Sequence, residues 1–95
     1  MVMMLKQVAE TLQVSPEELW RQSLDAYIQR EKRLAQLDVT DVQDRYRVSS
    51  TAELRQKIRD GIIYSHPAWE DLIEWENLQA YIQRLDSLCP RVVPS

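Results

Sequence analysis

The sequence predicts an all-α protein, a small helical domain of about four to five helices with two long amphipathic ones, assembled as a dimer. Three observations carry that expectation. A single glycine, Gly61, and prolines only at positions 16, 67, 90 and 94 leave the chain poor in hairpin turns. Apolar residues recur at spacings of three and four along 16–37 and again along 67–88. Runs that suit an extended strand are confined to Val48 and Ile62-Ile63-Tyr64.

The chain has 95 residues, which fits one domain, 1–95, able to bury roughly 60 to 70% of its unfolded surface. Hydrophobic residues at 44% and charged residues at 28% place it with folded globular chains and away from disordered ones. The formal net charge of −3 does not give the basic footprint that drives nucleic-acid binding, although Lys and Arg are denser between Arg21 and Arg59 and the segment Glu70 to Glu76 is acidic. One cysteine, Cys89, excludes an internal disulfide and a cysteine-cluster zinc site. The start Met1-Val2-Met3-Met4-Leu5-Lys6 lacks a basic region followed by a long apolar run, and no stretch approaches the roughly 20 apolar residues of a membrane span. The expectation is a cytoplasmic protein with no membrane partner.

Taken in order, Leu5, Val8, Ala9 and Leu12 predict a short first helix over about 3–12. Ser15-Pro16-Glu17-Glu18 is a helix start: Ser15 can accept from the third helical amide, Pro16 fits the first position, and Glu18 can close a capping box. The helix that follows carries Leu19, Trp20, Leu24, Tyr27, Ile28, Leu34 and Leu37 as a wide stripe to about residue 37, with Glu17 and Arg21 paired on its other face. Asp38 to Thr40 interrupts the pattern, and a short further turn through Arg45 and Tyr46 is expected. Ser50, with Glu53 three residues on, opens a helix bearing Leu54 and Ile58, which Gly61 ends by taking the left-handed conformation. Ile62-Ile63-Tyr64 is expected to pack inward. Ser65 or His66 then caps the last helix at Pro67, where Ala68, Leu72, Trp75, Leu78, Ile82, Leu85 and Leu88 or Cys89 form the apolar stripe. Pro90 is expected to stop it and residues 90–95 to fray.

The long helices share a near-repeat, Leu24-Asp25-Ala26-Tyr27-Ile28-Gln29-Arg30 against Leu78-Gln79-Ala80-Tyr81-Ile82-Gln83-Arg84. It lies eight residues after Pro16 but eleven after Pro67, so a common origin requires almost one inserted turn. In either case each helix offers a Leu/Tyr/Ile face suited to antiparallel packing, within the chain or across a dimer.

No catalytic constellation emerges. His66 is the only histidine and precedes a proline, so no histidine metal pair or HExxH motif can be assembled, a base-assisted nucleophile would have to recruit His66 itself, and no glycine-rich phosphate loop occurs. No enzyme activity, catalytic residue, cofactor or metal is expected. Glu70, Asp71, Glu74 and Glu76 have two readings: complements to the helix dipole, or an acidic face for a basic partner. Trp69 and Trp75, six residues apart, point about 120° from each other around a helix. With Trp75 in the core stripe, Trp69 is either an exposed anchor or a ring packed under the 62–65 connector. Trp69, Glu70, Asp71 and Glu74 are the candidate partner-binding residues.

Two stretches resemble known families. Val8-Ala9-Glu10-Thr11-Leu12-Gln13-Val14-Ser15-Pro16-Glu17-Glu18-Leu19-Trp20, continuing to Ala26-Tyr27-Ile28, resembles the two helices of ribbon-helix-helix proteins, with Met1 to Met4 as the segment available for that family's DNA-reading strand and Gln13 where its turn glycine stands. This resemblance implies a dimeric DNA-binding transcriptional regulator. Arg45-Tyr46-Arg47-Val48-Ser49-Ser50, then Glu53-Leu54, Ile58 and Gly61, then His66-Pro67-Ala68-Trp69-Glu70-Asp71-Leu72-Ile73-Glu74-Trp75-Glu76-Asn77-Leu78, resembles small prokaryotic antitoxin-like proteins over nearly half the chain. That resemblance implies a non-enzymatic protein that binds and neutralises a cognate toxin through helical surfaces.

Overall fold

A computed structural model describes the backbone of residues 2–92 and the side chains of residues 4–88; Met1 and, of the tail expected over 90–95, Val93 to Ser95 lie outside the described residues. The chain is all-helical, and no strand occurs among the described residues. Helix α1 spans Val2–Leu12, α2 Pro16–Tyr46, α3 Thr51–Arg59 and α4 Ser65–Val92.

The helix starts follow from local chemistry. Ser15 caps α2 by accepting from the Glu18 amide at 3.0 Å, with Pro16 next in line. Ser50 caps α3 in the same way, accepting from the Glu53 amide at 3.1 Å, while the Glu53 carboxylate reaches back to the Ser49 amide at 2.8 Å. At α2 the box stays open, because Glu18 turns sideways to Arg21 and to Gln22. Arg21 is thus paired with Glu18, where Glu17 was expected. In α4 the backbone at His66 is extended, with a cis bond to Pro67, so regular helix begins at Pro67.

The stops follow one pattern. After α1, α2 and α3 a residue enters the left-handed region and the next amide closes a six-residue loop: Gln13 (φ 61) with Val14 N–H to Ala9 C=O, Arg47 (φ 54) with Val48 N–H to Gln43 C=O, and Gly61 (φ 74) with Ile62 N–H to Lys57 C=O. Only the third carries the expected glycine.

The expected break at Asp38 to Thr40 is absent, and α2 runs on to Tyr46. This corrects the count of four to five helices: α2, α3 and α4 make the packed body, and α1 is a short helix folded back on the start of α2. The break was expected because polar residues interrupt the apolar spacing there. Val39 and Val42 are instead the buried positions that hold this part of the helix, beside Ile28 and Ala35. The wide stripe is correspondingly narrower, since Trp20, Tyr27, Leu34 and Leu37 are exposed. At the far end α4 continues through Pro90 to Val92, so the expected stop is also corrected. A proline in a last turn removes one backbone hydrogen bond, to the residue four before it, and leaves the rest of the ladder in place.

The core lies where the three body helices meet. Val39, Val42, Val48, Leu54, Leu72 and Trp75 form it, with Tyr46, Ile58, Ile63, Leu78 and Ile82 packed around the edge. The Trp75 indole N–H is buried without an acceptor among the described residues, so the core uses its volume and not its polarity. Of the connector, only Ile63 packs inward; Ile62 and Tyr64 are exposed. α2 and α4 run antiparallel, as the near-repeat allowed, and three polar clasps fasten them. Tyr46 and Arg45 hold Asp71, Glu31 accepts from Tyr81 at 2.6 Å, and Lys32 pairs with Asp86.

Candidate partner-binding surface

The four candidate residues lie within two turns of α4, and the helix spreads them. Positions two and five residues from Trp69 lie about 160° and 140° from it around the axis. Asp71 and Glu74 therefore point away from Trp69, and the contacts show where each side goes.

Trp69 faces α3. The Arg55 guanidinium stands over its ring, 5.4 Å from the centroid, and is held there by Glu76 at 2.7 Å. One side of the indole is thus covered by a cation, and 44% of the residue remains open. Ile73, one turn further along, is equally open, and Ile62 and Tyr64 in the preceding connector are more so. The ring is exposed, supported from α3 and not buried under the connector.

Asp71 faces α2. Its Oδ2 accepts from the Tyr46 hydroxyl and, at 2.9 Å, from Arg45 Nη1, while Arg45 also reaches Asp41 at 2.9 Å. Burial, then the bond to Asp71, raises the Tyr46 pKa, and the bond to Asp71 raises that of Arg45. The Asp71 side chain is only 16% exposed, so its carboxylate is committed to joining α2 to α4. Glu70 is exposed and lies 3.5 Å from His66 Nδ1; Glu74 is exposed as well. With regular helix starting at Pro67, Glu70 and Asp71 sit past the first turn, where the dipole has weakened.

The structure thus leaves Trp69 and Ile73 open on one side of α4, with Ile62 and Tyr64 open in the preceding connector, while the exposed carboxylates of Glu70 and Glu74 lie further round the helix. Ile73 was legible as the apolar neighbour one turn after Trp69. Arg55 was not, because nothing local links it to a residue 14 positions away.

His66 is 79% exposed by its side chain and lies 3.5 Å from the Glu70 carboxylate. Among the described residues no group of three or more His, Cys, Asp or Glu side chains is placed to hold a metal ion. An open hollow of about 340 Å³ between α2 and α4 is lined by Gln29, Lys32, Arg33, Gln36 and Ile82. Among the described residues no helix is long and apolar enough to cross a membrane.

A family model covering residues 1–89 matches the chain, which belongs to the uncharacterised protein MJ0235 family. No curated protein and no solved structure matches it.

Proposed function

We propose that this chain is a non-enzymatic interaction protein of antitoxin type, which binds and neutralises a cognate toxin protein through the α3–α4 end. The observation that carries the reading is the open Trp69, backed on one face by Arg55, which pairs with Glu76, and flanked by Ile73. An open aromatic ring is the kind of group that dominates binding energy, because it offers a large contact area with few side-chain torsions to order. Glu70, the residue after Trp69, adds an exposed carboxylate that favours a basic partner surface, Glu74 extends that charge further round the helix, and Asp71 acts indirectly by fixing α4 on α2. The resemblance of the 45–78 stretch to antitoxin-like proteins supports the same reading and supplies the partner's class.

The test is co-expression. The product of the adjacent reading frame, expressed alone, should arrest growth, and this chain should relieve the arrest; Trp69→Ala should abolish relief while the variant stays folded. An adjacent product that is harmless, or an arrest that the chain does not relieve, sinks the proposal.

The DNA-binding alternative is less well supported. A ribbon-helix-helix regulator needs a strand before its first helix, and Val2 to Met4 are already helical. A salt-dependent mobility shift on the upstream DNA would favour it.

A further inference from the structure

We infer that the hairpin of α1 and the first half of α2 is an interface for a second copy of this chain, with Tyr27 of the two copies meeting at the twofold axis. This inference is independent of the toxin reading and uses a different part of the molecule.

The hairpin is a pair of helices without a core of its own. Between Met4 and Tyr27 only Ala9 is buried, although the segment is rich in large apolar side chains. Two rows stand open: Met4, Val8 and Leu12 on α1, four residues apart, and Trp20, Tyr27 and Leu34 on α2, seven residues apart. The packed body lies elsewhere, since every member of the core cluster comes from residue 39 or beyond.

The dimensions say how much is uncovered. A compact chain of 95 residues has a radius of gyration of about 12 Å, against 19.3 Å here in a body of 60 × 24 × 18 Å. A typical monomer of 11.3 kDa exposes about 5,700 Å². This chain exposes 7294 Å², an excess of about 1,600 Å², twice the ~800 Å² that each partner contributes to a standard interface.

The spacing identifies the occupant as a like helix. A seven-residue row is the period at which two helices crossing at about 20° stay in register. In an antiparallel copy centred on Tyr27, Trp20 lies opposite Leu34 of the second copy and Leu34 opposite its Trp20, a self-complementary match of a large ring with a smaller side chain. The seam positions 20, 24, 27, 31 and 34 include one charged residue, Glu31, and its Oε1 already accepts from Tyr81 within the chain. The one carboxylate at the seam thus enters the contact already hydrogen-bonded.

The test uses the full chain in sedimentation and light scattering over a range of concentrations. The expected mass is twice 11.3 kDa. Trp20→Glu with Tyr27→Glu should halve it with helix content retained, because both side chains are exposed in the monomer, and Trp69→Glu should leave the dimer intact. A Cys89→Ser, Tyr27→Cys chain provides a second readout that does not depend on a charge at the seam: an added oxidant should link it into a covalent dimer, whereas Cys89→Ser, Arg59→Cys should stay single. A monomer at every concentration, a larger assembly, a dimer broken only by the Trp69 variant, or failure of the Tyr27→Cys link overturns the inference.

Discussion

Gly61 and Gln13 occupy the same backbone conformation with opposite fitness for it. At φ 74 a Cβ on Gly61 would meet nothing within 4 Å, so Gly61→Ala isolates the backbone strain alone, about 1 kcal/mol of lost stability. Gln13 at φ 61 already bears that strain in a turn of the same kind. Gln13→Gly should therefore stabilise the fold by about 0.5 kcal/mol, the relief being partly offset by glycine's greater freedom in the unfolded chain. Urea unfolding of the two variants measures both signs. If Gly61→Ala is neutral, or Gln13→Gly loosens the protein, the left-handed stops do not contribute as described.

The seam between α2 and α4 depends on two tyrosines that donate to carboxylates. The Tyr46 pKa is raised, first by burial and then by Asp71; the Tyr81 pKa is raised, first by its bond to Glu31. A group whose folded value lies above its unfolded one contributes fully below the unfolded value, and the contribution is lost as pH climbs through the folded one. Stability should accordingly hold up to the ordinary tyrosine value near 10.0 and fall above it. Tyr46→Phe with Tyr81→Phe should be weaker at neutral pH but lose most of the alkaline slope. Denaturant midpoints at about pH 8 and about pH 11 would show the difference. An unchanged slope in the double variant would remove the tyrosines as its cause.

The helix starts and the stop at Gly61 were the legible part of this fold, because neighbouring residues decide them, whereas the stops expected near residue 37 and at Pro90 were not. Ser15-Pro16, Ser50 with Glu53, and Gly61 each act within four residues, and each stands in the structure where its chemistry places it. The continuity of α2 was hidden for the converse reason. Asp38, Thr40 and Asp41 interrupt an apolar pattern, but α4 and α3 supply the partners that bury Val39 and Val42, and that burial outweighs the local signal. At the candidate surface helix geometry placed Trp69 off the core stripe but left open whether it was exposed or packed under the connector. The role of Asp71 was not legible, since its partners Tyr46 and Arg45 are 25 and 26 residues away.

At the scale of the whole molecule the chain is a long spine, α2, with α1 folded back on its start and α4 antiparallel along the remainder. The buried side chains crowd toward the α3 end, and the hairpin end holds little beyond Ala9 and Ile28. A uniform, all-or-none response to heat is not what such an uneven distribution gives. The hairpin end should respond to anything that covers it, and the α3 end should not.

That asymmetry sets where amide hydrogens are traded for deuterium. Positions in α1 and in residues 16–27 should exchange through local opening, fastest in dilute solution and more slowly as the protein is concentrated, because the proposed pairing of two copies would shield only that end. Amides around Val42, Leu54 and Trp75 should wait for global unfolding of the body. A protection map that slows with concentration at one end and not at the other would turn a lopsided helix arrangement into a direct reading of where this protein needs company.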